Sequence, residues 1–261
     1  MEAPVYTGLR ENDRLSTAVI HYMAAAVTDT GRKRTSNEDS YGLSVEHGIY
    51  LVCDGMGGAA AGEIASSLAV EESMRVLSAR LADESTSVRM AAEEAVAIAN
   101  EAIYSRSLRN PRLSGMGTTF VALLARERRA WVVNIGDSRC YRLRNRSLEQ
   151  LTHDHSWVDE QVRLGLMTEA EAGRSQFRNV ITRALGTQSS VTPDIFEIEA
   201  EPGDLFMLCS DGLTRELNDG LIESMLSLDL PLERLCARVV DAAKKAGGHD
   251  NITCLLVRAE G

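Results

Sequence analysis

Residues 49–58 read IYLVCDGMGG and join a core element to a candidate site. The apolar run Ile49–Cys53 stops at Asp54, and three of the next four residues are glycines. A short apolar run that ends at a turn is typical of a buried strand. Because glycine has no side chain, the backbone after Asp54 can approach a metal ion or a phosphate closely, and the Gly55 carbonyl could itself be a ligand. A glycine run alone is a weak signal, however, and fits a flexible turn equally well.

Asp54 is one of several acids that adjoin apolar, strand-like runs. The others are Asp137 after WVVNIG, Asp211 after FMLCS, Asp250 before ITCLLV, and the pair Glu38-Asp39 after the first strand. Any one of them fits ordinary turn chemistry, since aspartate often caps turn amides. Together they predict carboxylates gathered at one end of packed sheets, where mutual repulsion would raise their pKa values. Oxygen ligands without a Cys or His cluster favour Mg²⁺ or Mn²⁺, and two such ions ~3.5–4 Å apart can activate a water.

The order of the elements indicates the fold class. Strand blocks and pairs of long helices alternate in groups, which favours antiparallel sheets covered by helix pairs over a parallel βαβ fold. Residues 1–22 lack a clear period and are predicted to be a poorly ordered extension, with residues 23–261 forming one domain. Within that domain, residues 152–187 carry short helical pieces and no obvious strand.

Composition excludes several functional classes. The net charge of −10 and the absence of a basic patch argue against nucleic-acid binding. No apolar run reaches the ~18 residues of a membrane span, and no signal-peptide pattern precedes the domain, so a cytoplasmic protein is expected. The five cysteines show no metal-ligand spacing and are predicted to be buried, unpaired side chains.

Seven short motifs then appear in order from about Ala24 to the C-terminus. They are RTSNED, VCDGMGG with AAGEIAS, GMGTT, VVNIGDSRCY, LTHDHS, CSDGL and GGHDNIT. Each is weak alone, but the ordered set resembles the metal-dependent protein serine/threonine phosphatases of the protein phosphatase 2C family, in their compact bacterial form. The resemblance implies an α+β fold of four layers, α-β-β-α, with two antiparallel sheets packed face to face and helix pairs outside.

The resemblance also implies roles for individual residues. Asp54 would bridge two Mn²⁺ or Mg²⁺ ions, Asp211 and Asp250 would bind the first ion, and the Gly55 carbonyl would be a further ligand. Glu38 would hold the second ion, largely through water. The remaining assignments are Asp39 as support for Glu38, Asp137 with Asp211 at a third ion, and Arg34 on the substrate phosphate. A water activated between the ions would attack phosphorus in line with the serine or threonine oxygen, without a phosphoenzyme.

The sequence departs from the family at Ala59, where many members carry a histidine that is a candidate general acid. His153 and His155 in LTHDHS are alternative candidates, although loop histidines of this kind are more often structural. A water bound to a metal is another possible proton donor. Residues 152–187 fall where the family has a flap beside the site, expected to tune substrate choice.

Three functions stay open at this stage. The first is a phosphatase of phosphoserine and phosphothreonine in proteins, opposing a protein serine/threonine kinase and acting as a monomer. The second is a catalytically inactive relative that serves as a binding module, which the complete set of acids disfavours. The third is a metal-dependent phosphohydrolase of small phosphate esters.

Overall fold

The computed structural model describes residues 19–57 and 61–261, and within them eleven strands and seven α-helices form. The strands are β1 (His21–Asp29), β2 (Asp39–Ser44), β3 (Ile49–Met56), β4 (Gly117–Thr118), β5 (Phe120–Arg126), β6 (Arg129–Ile135), β7 (Arg139–Arg144), β8 (Ser147–Gln150), β9 (Asp194–Glu199), β10 (Leu205–Cys209) and β11 (Ile252–Glu260). The helices are α1 (Ala61–Leu81), α2 (Val88–Arg109), α3 (Trp157–Arg163), α4 (Glu169–Ala172), α5 (Asp211–Thr214), α6 (Asp219–Leu226) and α7 (Leu232–Ala246).

The described strands form two antiparallel sheets. The first has the order β1-β11-β10-β7-β8 and the second the order β2-β3-β5-β6-β9, with the short β4 paired to β3. Tight turns join several neighbours, as between β5 and β6, where Arg126 pairs with Arg129 and Glu127 adopts a positive φ of 52°. Since each pair is antiparallel, the ends of alternate strands return to the same end of a sheet.

Three buried apolar clusters separate the layers. Tyr50, Val52, Phe206 and Leu255 belong to the cluster between the two sheets. A second cluster joins the β3-β5-β6 face to α1 and α2, and a third joins the β10-β11 face to α5, α6 and α7. The predicted α-β-β-α sandwich is therefore confirmed, with three helices in one outer layer where a pair was expected.

The differences from the sequence prediction fall at the sheet edges. The first strand already begins at His21, within the predicted extension of residues 1–22, because His21 and Tyr22 pair with Glu260 and Ala259 of β11. The edge strands β2 and β8 were not predicted, because their half-exposed, polar sequences DSYGLS and SLEQ lack a clear apolar alternation. Residues 1–18 of the predicted extension, and Ala59, lie outside the described residues. The predicted domain boundary, and the predicted loss of a general acid at Ala59, therefore stay predictions.

The cysteine prediction is confirmed: all five cysteines lie in the described residues, and each is buried and unpaired. No helix in the described part of the chain combines the length and the apolar character that a membrane span requires.

Candidate active site

The ends of several strands meet around one cavity of about 320 Å³. Asp54 lies near the end of β3, Asp137 follows β6, Asp211 follows β10, Asp250 precedes β11, and Glu38 precedes β2. All five acids line the cavity, together with Arg34, Gly55, Asn179, Ile181, Arg215 and Asn251. The tertiary structure thus brings together the acids that the sequence places far apart.

Backbone contacts fix Asp54 at the end of its strand. The Asp54 amide donates to Thr119 Oγ1 at 2.8 Å, and the Asp54 carbonyl accepts from the Thr119 amide and from Thr118 Oγ1, each at 2.9 Å. These contacts leave the side chain as the part of Asp54 that lines the cavity.

Asp39 lies directly across the β2–β3 pair from Asp54, but it does not line this cavity. It is 7% exposed, and its Oδ2 accepts hydrogen bonds from Ser210 Oγ and Thr253 Oγ1, each at 2.7 Å. Its Oδ1 is buried without a partner in the described residues. Burial raises the pKa of Asp39 to about 6, against the hydrogen bonds from the two hydroxyls. The placement suits a residue that supports the site from behind Asp54.

Burial and mutual repulsion raise the pKa values of the acids in the cavity. Burial raises the pKa of Asp54 well above its ordinary value, and the charges of Asp39, Asp211, Asp137 and Asp250 add to the effect. Burial raises the pKa of Asp211 to about 8, with Asp137 as the next cause, and raises that of Asp137 to about 6. Such a cluster loses its electrostatic cost when cations bind.

Two arginines contact acids in the cavity. Arg34 Nη2 lies 2.8 Å from Asp250 Oδ2. Arg215 forms an ion pair with Asp211, and its Nη1 lies 3.6 Å from Asp250 Oδ2. With these contacts present, no three His, Cys, Asp or Glu side chains in residues 19–57 and 61–261 are arranged to hold an ion without moving. Arg215 was not predicted from the sequence, although its spacing of four residues from Asp211 places both on one helical face.

The donor set nevertheless fits hard cations. Asp137 is 6% exposed, and its Oδ1 is buried without a hydrogen-bond partner among the described residues. Gly55 is packed so closely that a Cβ there would lie 2.1 Å from the Gly62 carbonyl oxygen and 2.6 Å from that of Glu38. A side chain at Gly55 is therefore excluded, and the site offers carboxylate and carbonyl oxygens, the ligands that Mg²⁺ and Mn²⁺ prefer.

Asn251 is a further residue that sequence analysis missed. Its Oδ1 accepts the Glu38 amide at 2.8 Å, and its Nδ2 donates to the carbonyls of Thr30 and Ser36 at 3.0 and 2.9 Å. Asn251 therefore ties the loop that carries Arg34 and Glu38 to the start of β11. Its position directly after Asp250 is the signal that could have indicated it.

The histidines do not line the cavity. His155 is 2% exposed; its Nδ1 accepts the Gly136 amide at 3.1 Å, and its Nε2 lies 3.0 Å from Asp194 Oδ2. With Nδ1 accepting, neutral His155 carries its proton on Nε2 and donates it to Asp194. His249 contacts Glu216 with its amide and its Nδ1, which shapes the turn before Asp250. These contacts favour structural roles for both.

Residues 152–187 cover one side of the site. The segment contains α3 and α4; the isolated bridge Thr118–Leu185 joins it to β4, and the bridge Ser156–Ile181 lies within the segment. It lines a second cavity of about 470 Å³ that shares Asp137, Asn179, Asp211 and Arg215 with the first. This is the position expected of a flap, and its effect on substrate choice stays a prediction.

Comparison with known proteins agrees with this architecture. The model of the family described as Protein phosphatase 2C matches residues 29–257. The serine/threonine phosphatase stp of Listeria monocytogenes serotype 4b (strain F2365) is 37% identical over 243 residues, covering 89% of this chain and 94% of the relative.

Solved structures are equally similar. The crystal structure of the Mycobacterium tuberculosis serine/threonine phosphatase PstP/Ppp superposes with a TM-score of 0.84 at 36% identity, covering 94% of this chain and all of that one. The catalytic domain of PstP in complex with two manganese ions superposes with a TM-score of 0.83 at 34% identity, covering 93% of this chain and all of that one. The chain therefore belongs to the protein phosphatase 2C family and is a metal-dependent protein serine/threonine phosphatase.

Proposed function

We propose that this chain hydrolyses phosphoserine and phosphothreonine in proteins at a centre of two divalent ions and so opposes a serine/threonine protein kinase. The observation that carries the proposal is the meeting of five acids from separate strand ends in one cavity, with Arg34 at its wall. The complete set of acids disfavours an inactive binding module.

Asp54 would be a ligand of both ions, the Gly55 carbonyl, Asp211 and Asp250 would hold the first, and Glu38 would hold the second. The repulsion within this set and the close packing at Gly55 support the assignment. When bound, Mn²⁺ or Mg²⁺ would supply a Lewis acid that lowers the pKa of a water and neutralises phosphate charge. The two manganese ions bound to PstP support the stoichiometry.

Arg34 would bind and orient the phosphoryl group. Its side chain is half exposed and contacts Asp250 at 2.8 Å, so the guanidinium already lies beside a proposed ion ligand. A planar guanidinium can donate two parallel hydrogen bonds to a phosphate, which a lysine cannot. Arg34 would thereby hold the phosphorus in line between the attacking water and the leaving oxygen.

The proton required by the leaving serine or threonine oxygen has no histidine donor in the described cavity wall. Asp211, whose pKa burial raises to about 8, lies in that wall, but ions bound there would lower this pKa again. We therefore assign the proton to water in the cavity. The cytoplasmic location and the monomeric state stay predictions.

Phosphate release from a phosphothreonine peptide tests the proposal. Wild type and Asp211→Asn would be compared with Mn²⁺, with Mg²⁺ and with excess chelator. We expect release only with a divalent ion, and none from the variant, because the substitution removes a charged ligand. Metal-independent release, or full activity of Asp211→Asn, would contradict the assignment.

A second series compares the phosphopeptide with p-nitrophenyl phosphate. We expect a higher kcat/KM for the peptide, because the flap-side cavity offers surface for residues beside the phosphoamino acid. A strong preference for small esters would instead favour a phosphohydrolase of small substrates.

A further inference from the structure

His155 joins the turn that carries Asp137 in the active site to the flap. Its ring Nδ1 accepts the Gly136 amide at 3.1 Å, and its backbone amide donates to the Gly136 carbonyl at 2.9 Å. One flap residue therefore contacts both backbone polar groups of the residue directly before Asp137. The His155 carbonyl also accepts the Thr182 amide at 2.8 Å, which ties the first part of the flap to its last part.

The opposite side of the Asp137 turn contacts the residues that position Asp54. Gly136 has a φ of +103°, and a Cβ there would lie 2.7 Å from Thr119 Cγ2, so the turn packs directly against Thr119. Ser138 Oγ lies 2.7 Å from Thr119 Oγ1, which in turn accepts the Asp54 amide at 2.8 Å. On this side the turn is therefore held by the same residue that holds Asp54.

The second ring nitrogen of His155 sets the orientation of the imidazole. Nε2 lies 3.0 Å from Asp194 Oδ2, and Arg183 Nη1 donates to the other oxygen of Asp194 at 2.7 Å. Because Nδ1 accepts the Gly136 amide, the ring is neutral and carries its proton on Nε2, where it donates to Asp194. His155 is 2% exposed, and burial lowers its pKa, against the hydrogen bond with Asp194, which favours this neutral form.

We propose that His155 is a positioning residue, which acts through Gly136 to place the Asp137 carboxylate in the wall of the active site. The inference rests on the proposed function and on the expected role of Asp137, with Asp211, at a third ion. Asp137 Oδ1 is buried without a hydrogen-bond partner among the described residues, so the placement of this oxygen depends on the turn that carries it. His155 lines neither cavity and therefore acts through the turn, not on the substrate.

Two substitutions separate the two contacts of the ring. His155→Asn places an amide oxygen near the position of Nδ1, so it keeps an acceptor for the Gly136 amide and loses the contact with Asp194. His155→Gln reaches the position of Nε2, so it keeps a donor to Asp194 and loses the acceptor for Gly136. Both remove the same buried ring. His153→Gln is the matched control, since His153 is exposed and lines neither cavity.

Phosphate release from the phosphothreonine peptide is measured at saturating Mn²⁺ for each folded variant, alone and combined with Asp137→Asn. We expect His155→Gln to lower kcat about tenfold with little change in KM, and His155→Asn and His153→Gln to stay within about twofold of wild type. In the Asp137→Asn background, His155→Gln should lower kcat no further, because its effect passes through Asp137.

Equal losses in His155→Gln and His155→Asn, or the same loss with and without Asp137→Asn, would show a merely structural role and overturn the inference. No release by wild type with either Mn²⁺ or Mg²⁺ would overturn the proposed function instead, which separates the two failures.

A spectroscopic measurement tests the ring contact without turnover. The ring nitrogens of ¹⁵N-labelled histidine are observed by NMR in the metal-free protein at neutral pH, and the His155→Asn variant identifies the His155 signals by their loss. We expect a neutral ring with its proton on Nε2. A ring that carries a proton on Nδ1 would overturn the inference, because the Gly136 amide would then have no acceptor.

Discussion

Strand β10 has an aspartate beside each end, and the two have opposite environments. Asp204, before the strand, is 1% exposed; its two oxygens lie 2.7 Å from Arg144 Nε and Nη2, and Oδ2 accepts the Glu201 amide. Asp211, after the strand, lies among other acids, and burial raises its pKa to about 8. Arg144 neutralises Asp204, whereas Asp211, although paired with Arg215, belongs to a group in which acids outnumber arginines.

The difference explains how one residue type serves structure and function. Five acids and two arginines are among the described residues that line the active-site cavity, an excess of three negative charges. Asp204 requires no cation from solution, because the positive charge of Arg144 neutralises it. The acids beside the other end of β10 repel each other, and this electrostatic cost is offset only when cations bind.

The largest expected contrast is the effect of pH on stability. Asp211 and Asp54 have folded pKa values above their unfolded values, so they stabilise the fold when protonated and lose this contribution as pH rises. With excess chelator, the free energy of unfolding should therefore fall by several kcal/mol from pH 6.5 to pH 8.5, at about 1.4 kcal/mol for each unit of pKa shift.

Urea unfolding at each pH measures this effect. Asp211→Asn should reduce the slope because it removes one titrating group. Saturating Mn²⁺ should reverse the slope, because ion binding releases protons and strengthens with pH. Stability in chelator that rises over this range would contradict the proposed repulsion.

The second-largest expected effect concerns the stability contributed by Asp204, the aspartate before β10. Asp204→Asn should lower the free energy of unfolding by about 3 kcal/mol, because it removes the buried charged partner of Arg144 and leaves only the exposed Glu201. The matched control is Glu201→Gln, which removes an exposed partner of the same arginine and should cost at most about 1 kcal/mol. Both are measured by urea unfolding in chelator.

Asp204→Asn should also keep its Mn²⁺ affinity and its activity per folded molecule. A loss of ion binding in this variant would show that the two ends are coupled, and the contrast between them would fail.

The smallest expected effect concerns the hydroxyl next to Asp211. Ser210→Ala removes one of the two hydroxyl donors to Asp39, behind Asp54, and should weaken Mn²⁺ binding by about tenfold. Thr253→Ser is the control, since it keeps the other donor and should bind Mn²⁺ as wild type does. Calorimetric titration with Mn²⁺ measures both, and equal affinities would mean that Asp39 does not support the ion site.

Much of the architecture could be predicted because the apolar pattern within a single helix or strand indicates its type. The helix α7, Leu232–Ala246, is one example, since its apolar face repeats at helical spacing. The central strands could be predicted equally well from the sequence, because strands buried on both faces are apolar along their length. The edge strands β2 and β8 were missed, because backbone pairing with one neighbour leaves little trace in their side chains.

By itself the sequence determined the central strands, the long helices, the acids beside the strand ends and, through seven ordered motifs, the family. Only the tertiary structure decided that Asp39 lies behind Asp54, that Asn251 anchors the Glu38 loop, and that Arg215 forms an ion pair with Asp211. The physical reason is distance along the chain. Periodicity reports which face of an element is buried, whereas a contact such as that between Asp39 and Ser210, 171 residues apart, forms only when the two sheets pack.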